Sequence, residues 1–128
     1  YDIIISYKKK GYLMLTYVKH FNDFNNSIDF SLLRTSKEKI EFTSNLIKQD
    51  SFDTVAIITS SGTISDILAE AWRLTNTIDE PWFKNPNISV AEKYQNSCRS
   101  SSIGDIIVIG NDTYIIDTIG FISINQAF

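Results

Sequence analysis

The sequence predicts an α+β domain: a mixed or antiparallel β-sheet, two main helices and a C-terminal β-hairpin or meander. Three observations predict it. Short runs of β-branched and aromatic residues open the chain and fill its last quarter. Two stretches between them carry apolar residues at three- and four-residue spacing, each behind an N-capping signature. The composition, 43% hydrophobic and 21% charged, is that of a folded globular protein, and eight Phe, six Tyr and two Trp supply the bulk of a core.

Asp2 to Tyr7 and Tyr12 to Val18 are β-rich, and Lys8-Lys9-Lys10-Gly11 between them reads as a turn, giving a hairpin over residues 2–18. Residues 19–31, rich in Asn, Asp and Ser, read as a loop pinned by Phe21, Phe24 and Phe30. Thr35 with Glu38 forms a capping box, and Ile40, Phe42, Leu46 and Ile47 follow, so a helix is predicted at about 36–49. Asp53 to Thr59 reads as a buried strand and Ser60-Ser61-Gly62 as the turn after it. Thr63, three residues before Asp66, caps a second helix at about 63–78. Its face, Ile64, Ile67, Leu68, Ala71, Trp72, Leu74 and Ile78, marks it as the central core element, packed on residues 54–59 and the C-terminal strands. Residues 80–102 hold both prolines together with Trp82, Phe83 and Tyr94, and read as a long connection. Ile106–Ile109, Thr113–Asp117 and Ile119–Ile124 make the C-terminal strands of about 105–124, the first two joined by a Gly110-Asn111 turn. One globular domain over 1–128 accommodates all of this.

Charge narrows the partners. The net charge is −3, split as +1 over residues 1–64 and −4 over 65–128. The only dense basic cluster is Lys8-Lys9-Lys10, a solvated hairpin tip rather than a phosphate-binding face, so nucleic acid is not expected as a partner. The acidic excess is far too small for a mimic of DNA. One cysteine, Cys98, excludes an intramolecular disulfide and suits a reducing, cytoplasmic setting. No run reaches the roughly 20 apolar residues of a membrane span, and the start has no signal-peptide pattern, so no membrane partner is expected.

Chemistry is sparse. His20 is the only histidine, and no serine sits in a nucleophile-elbow pattern, so no catalytic residue is assigned and no enzyme is expected. One His and one Cys cannot complete a tetrahedral metal site, so neither metal nor cofactor is expected. Ser60-Ser61-Gly62-Thr63 has the form of an anion-binding helix start but lacks the P-loop and dinucleotide fingerprints, and reads as a plain N-cap. Cys98 beside Arg99 is placed for a lowered thiol pKa, yet it has no base or second cysteine assigned to it.

The most unusual segment is Arg99-Ser100-Ser101-Ser102-Ile103-Gly104-Asp105, one guanidinium, three hydroxyls and a glycine just before a strand. Either it is a polar turn whose side chains satisfy its own backbone, or Arg99, Ser100 and Ser102 converge on a small anionic ligand such as a nucleotide. As a turn it is expected to be ordered, with Arg99 pairing with Asp105 or pointing to a partner.

This segment, preceded by Ala71-Trp72-Arg73-Leu74-Thr75-Asn76 and Trp82 and followed by Tyr114 and Gly120-Phe121, resembles a pattern in small proteins of bacteriophages and mobile elements. There an RSxSxGD element precedes a hairpin ending in GF, as in YodL-like and polyvalent-protein-associated modules. The resemblance covers roughly residues 67–122 and implies a context, the bacterial host cytoplasm, without a mechanism. The resulting expectation is a non-enzymatic phage- or plasmid-type accessory protein that binds and modulates a host or defence protein. Trp82, Phe83, Tyr94, Arg99, Ser100, Ser102 and Asp105 are its candidate binding residues. A small-ligand or nucleotide-binding module using the Arg99–Ser102 turn is the alternative, and a nucleic-acid-binding domain a more remote one. Nothing in the sequence sets the oligomeric state.

Overall fold

A computed structural model describes residues 4–6, 13–22, 30–77 and 80–124. Among them, seven strands form one antiparallel sheet: β1 (Ile4–Ser6), β2 (Leu13–Phe21), β3 (Phe52–Ser60), β4 (Ser89–Val90), β5 (Ile106–Ile109), β6 (Asp112–Ile116) and β7 (Phe121–Ser123). The order is β4-β3-β2-β5-β6-β7, with β1 also pairing with β2. Helix α1 (Ser36–Lys48) links β2 to β3, and α2 (Ile64–Leu74) follows β3. The α+β architecture matches the prediction.

The sheet is buried on both faces, which is why its central strands read as unbroken apolar runs. In β5, Ile107 and Ile109 join the cluster that contains Ile67, Leu68 and Ala71 of α2. Ile106 lies in the other cluster, with Phe30 and Phe52, and Val108 packs on it beside Ile40, Phe42, Leu46 and Ile47 of α1. Strand β6 divides the same way: Tyr114 and Ile116 face α2 while Ile115 faces α1. The alternation is the two-residue period of a pleated strand, here apolar on both sides. Beside α2, Trp82 and Ile88 complete the first cluster.

Both helix starts follow the sequence signals. Thr35 accepts from the Glu38 N–H at 3.1 Å while Glu38 accepts from the Thr35 N–H at 3.0 Å, a complete capping box. Thr63 accepts from the Asp66 N–H at 3.1 Å. The other end of α2 departs from expectation, closing at Leu74 rather than near 78. The Thr75 hydroxyl donates to the Ala71 carbonyl at 2.8 Å and the Asn76 amide to the Trp72 carbonyl at 2.6 Å, so side chains take the acceptors that a further turn would have used. The buried face of α2 is also narrower than predicted: Ile67, Leu68 and Ala71 are buried, whereas Ile64 and Trp72 are exposed.

The N-terminal pair β1–β2 is antiparallel as expected, and its turn lies outside the described residues, as do Phe24 and Ile78. Residues 19–21 are not loop. Lys19, His20 and Phe21 continue β2 against β3 and β5, and residue 55 of β3 is an extra, bulged residue between the Val18–Ala56 and Lys19–Thr54 pairs. Phe30 is buried against Phe42, as its anchoring role requires. The Ile109–Asp112 pair closes the Gly110-Asn111 turn, with Gly110 at a φ of 62°. The long connection 80–102 is built of two single-turn 3₁₀ helices, 82–84 and 92–94, around the short β4.

Candidate functional site

The 98–105 segment is ordered, and its polar groups converge inward. The Asp105 carboxylate, 2% exposed, receives four hydrogen bonds. Arg99 donates two of them, Nη1 to Oδ2 at 2.6 Å and Nη2 to Oδ1 at 2.8 Å. The N–H groups of Ser102 and Phe21 donate the others, at 2.7 and 2.9 Å. A carboxylate taken out of water needs this degree of satisfaction, and the two-pronged guanidinium supplies half of it. Arg99 also donates to the carbonyls of Ser100 and Phe21, so one cation ties the turn to the end of β2. Gly104 makes the bend: its φ of 96° is closed to side-chain-bearing residues, and an added Cβ would lie 3.4 Å from the Phe30 ring.

Behind the ion pair lies a second chain of contacts. His20 Nε2 is 2.9 Å from Ser101 Oγ, which is 2.7 Å from Thr75 Oγ1. His20 Nδ1 is 3.7 Å from Cys98 Sγ. Proton counting fixes the directions. Thr75 gives its one proton to the Ala71 carbonyl, so Ser101 must donate to Thr75. His20 Nε2–H then donates to Ser101, and His20 Nδ1 accepts from the Cys98 thiol. The chain runs one way, from thiol to helix carbonyl. His20 is therefore a donor toward Ser101 and does not draw off its proton.

The ionisation behaviour agrees. Burial pushes the His20 pKa down to about 4, with Asp105 pulling it partly back and Arg99 lowering it further. Burial likewise pushes the Cys98 thiol up to about 11, against the pull of Arg99. The lowered thiol pKa expected from the Cys98-Arg99 sequence is corrected here. Desolvation exceeds the effect of the neighbouring cation, whose charge is already committed to Asp105. Both partners of the pair are neutral near pH 7.

The sequence-assigned binding residues divide by position. Asp105 is buried, and Arg99 is spent on it. Ser100 Oγ accepts from the Thr77 N–H at 3.0 Å, and the Ser102 backbone bonds to Asp105 in both directions. Trp82 is core rather than surface: it is buried, and its indole N–H donates to the Arg99 carbonyl at 3.0 Å. Phe83 is half-buried edge-on against Trp82, and Tyr94 donates to Asp53 Oδ2 at 2.6 Å. These aromatics hold the long connection to the sheet.

An open groove lies on the outer side of the same turn. Its volume is about 520 Å³, and Ala69 and Trp72 of α2, Ser101–Ile103, Ile116, Phe121 and the β6–β7 turn line it. Trp72 is 44% exposed and Ile103 40%, while Ile119, at the tip of the β6–β7 turn, is 91% exposed. The groove therefore lies between α2, the 101–103 turn and the β6–β7 hairpin. Sequence reasoning assigned Trp72 to the core because it sits at helical spacing with Leu68 and Ala71. Its place at the margin of that face was the available signal.

Among the described residues no three His, Cys, Asp or Glu side chains group as metal ligands, and no helix is long and apolar enough to cross a membrane. Comparison with protein-family models, curated proteins and solved structures gives no match to this chain.

Proposed function

We propose that this chain is a non-enzymatic phage- or plasmid-type accessory protein that binds and modulates a host or defence protein, and that it does so through the Trp72–Ile103–Phe121 groove. The observation carrying this reading is that Trp72 and Ile103, two exposed large apolar side chains, line one concavity together with Ile116 and Phe121. Single exposed apolar residues are ordinary, but a group of them rimming a groove with a tryptophan at its edge has the composition of a binding hot spot. The phage-type context rests on the resemblance of the Arg99–Asp105 element. A small anionic ligand at the Arg99–Ser102 turn draws less support, because the guanidinium is already paired with Asp105.

The test is affinity capture from bacterial lysate, identification of the captured protein, and titration of that purified partner against wild type and a Trp72→Ser/Ile103→Ser variant. Binding weakened by about tenfold or more, with the melting temperature unchanged, is the expected result. Undiminished binding by the variant refutes the groove. A thermal-shift screen against nucleotides runs in parallel, and marked stabilisation there transfers the function to the small-ligand reading.

A further inference from the structure

We propose that β7 is a docking edge, and that the partner engages this protein by adding an extended segment of its own chain to the sheet beside β7. The inference rests on the protein-binding reading above and specifies how the partner is held. Among the described residues β7 ends the sheet. It pairs with β6 in the register Ile116–Phe121, Ile115–Ile122 and Tyr114–Ser123. Asp117 donates to the Gly120 carbonyl and Ile124 to the Thr113 carbonyl. Alternate residues of an antiparallel strand bond to the same neighbour, so residues 120, 122 and 124 turn toward β6. The N–H and C=O groups of Phe121 and Ser123 therefore point away from the sheet, and no hydrogen bond from another described residue reaches them.

Protein edges of this kind are normally blunted by short length, lysine, proline or a bulge. Phe121-Ile122-Ser123 is short but carries no lysine, proline or bulge, and no charged residue occurs from Thr118 to Ile124. Its pairing with β6 is prolonged at both ends by the Asp117–Gly120 and Ile124–Thr113 bonds, whereas the opposite edge, β4, is only two residues long. An uncharged edge with outward backbone groups is complementary to an uncharged extended segment, the arrangement of strand addition.

Side-chain placement selects the occupant further. Phe121 packs on the α2 side of the sheet and Ile122 on the α1 side. Residues of an added strand lying opposite Phe121 and Ser123 project on the α2 side, beside the groove walled by Trp72 and Ile103. Large apolar side chains at those alternate positions adjoin the groove, while the residue between them meets the α1 side. A second copy paired through its own β7 would bring only Phe121, already packed in its own core cluster, and the small Ser123. A foreign segment with alternating large apolar residues fits better.

The experiment selects binders for the whole protein from a displayed library of short random peptides. It then measures their affinity for wild type, Ser123→Pro and Trp72→Ser/Ile103→Ser, with amide hydrogen exchange on the bound state. Proline at 123 removes only an outward donor, leaving the bonds to β6 in place. The expected peptides alternate apolar residues, slow exchange at the Phe121 and Ser123 amides on binding, and lose about tenfold in affinity to Ser123→Pro with its melting temperature retained. Should Ser123→Pro melt early, exchange protection on wild type decides alone. Binding that spares Ser123→Pro and protects neither amide overturns strand addition. If that binding still falls with Trp72→Ser/Ile103→Ser, the groove reading stands by itself. Selection yielding no binder, or concentration-dependent dimers that protect both amides without peptide, overturns the proposal as well.

Discussion

Arg99 and Asp105 grip each other through two parallel hydrogen bonds, and the five residues between them fold around that pair. The Arg side chain keeps 29% of its exposure, but the carboxylate keeps only 2%. Removing the cation would strand a buried charge, a loss usually of about 3–5 kcal/mol when one partner of a buried pair is deleted. Arg99→Ala should therefore lower the unfolding free energy by an amount approaching that range in urea titration. Arg73→Ala is the control: its partner Glu70 is half exposed, and loss of that pair should cost under about 1 kcal/mol. Equal effects of the two changes would contradict a structural role for the Arg99–Asp105 pair.

Helix α2 offers a second contrast. Leu68 is buried against the sheet, so Leu68→Ala should cost about 2–5 kcal/mol through lost contacts and a cavity. Trp72, one turn later, lies at the groove rim, and Trp72→Ala should change the stability by less than half as much. Chemical denaturation of both variants checks the difference.

Gly104 should resist substitution. At a φ of 96° an alanine is strained whatever the space around it, and its Cβ would rest in van der Waals contact with Phe30, 3.4 Å away. Gly104→Ala is expected to lose about 1–3 kcal/mol, read from the melting curve. The same change at Gly120 meets nothing within 4 Å, so any loss there reports backbone strain alone.

Most of this fold was legible because its signals are local. Thr35 with Glu38, Thr63 with Asp66, and Gly110-Asn111 each declare a cap or turn within a few residues, and the structure has all three. The end of α2 was not legible. Thr75 and Asn76 end it by turning their side chains back onto the Ala71 and Trp72 carbonyls, and Thr75 is held in that role by Ser101, a residue 26 positions away. His20 was obscured similarly, since its surroundings are polar in sequence, yet β2 carries it under Trp82 at a ring separation of 6.3 Å. The Arg99–Asp105 pairing was anticipated as one of two outcomes, because both partners lie within one turn. The groove was not, because it is assembled from the margin of α2, the 101–103 turn and the β6–β7 hairpin.

Cys98 should be a sluggish thiol. Burial raises its pKa to about 11 from 9.0, which cuts the thiolate fraction at neutral pH by about a hundredfold. Iodoacetamide labelling of the folded protein should be slower than that of the urea-unfolded chain by about that factor. Rapid labelling of the folded protein at pH 7 would show that the thiol is not held as a donor to His20.

The His20 pair gives the protein a pH response of defined sign. In the fold the imidazole titrates at about 4, against an ordinary value of 6.5, because burial opposes the charged form more strongly than Asp105 favours it. Below pH 6.5 the unfolded chain therefore takes up a proton that the folded chain refuses. Stability from this source is complete above that pH, falls as pH drops from 6.5 to 4, and changes no further below 4. The difference corresponds to about 3 kcal/mol across the window. Carboxylates held below their ordinary range, Asp53 by Asn22 and Tyr94 among them, add acid sensitivity in the same direction, but through pKa values lower still. Unfolding free energies measured at intervals from pH 7.5 to pH 4 in about half-unit steps should show the loss, and His20→Gln should flatten its upper part. Direct titration of the imidazole by NMR provides the decisive number. A midpoint near 6 would mean that burial does not hold the imidazole down, and the acid-linked loss of stability assigned to His20 would fall.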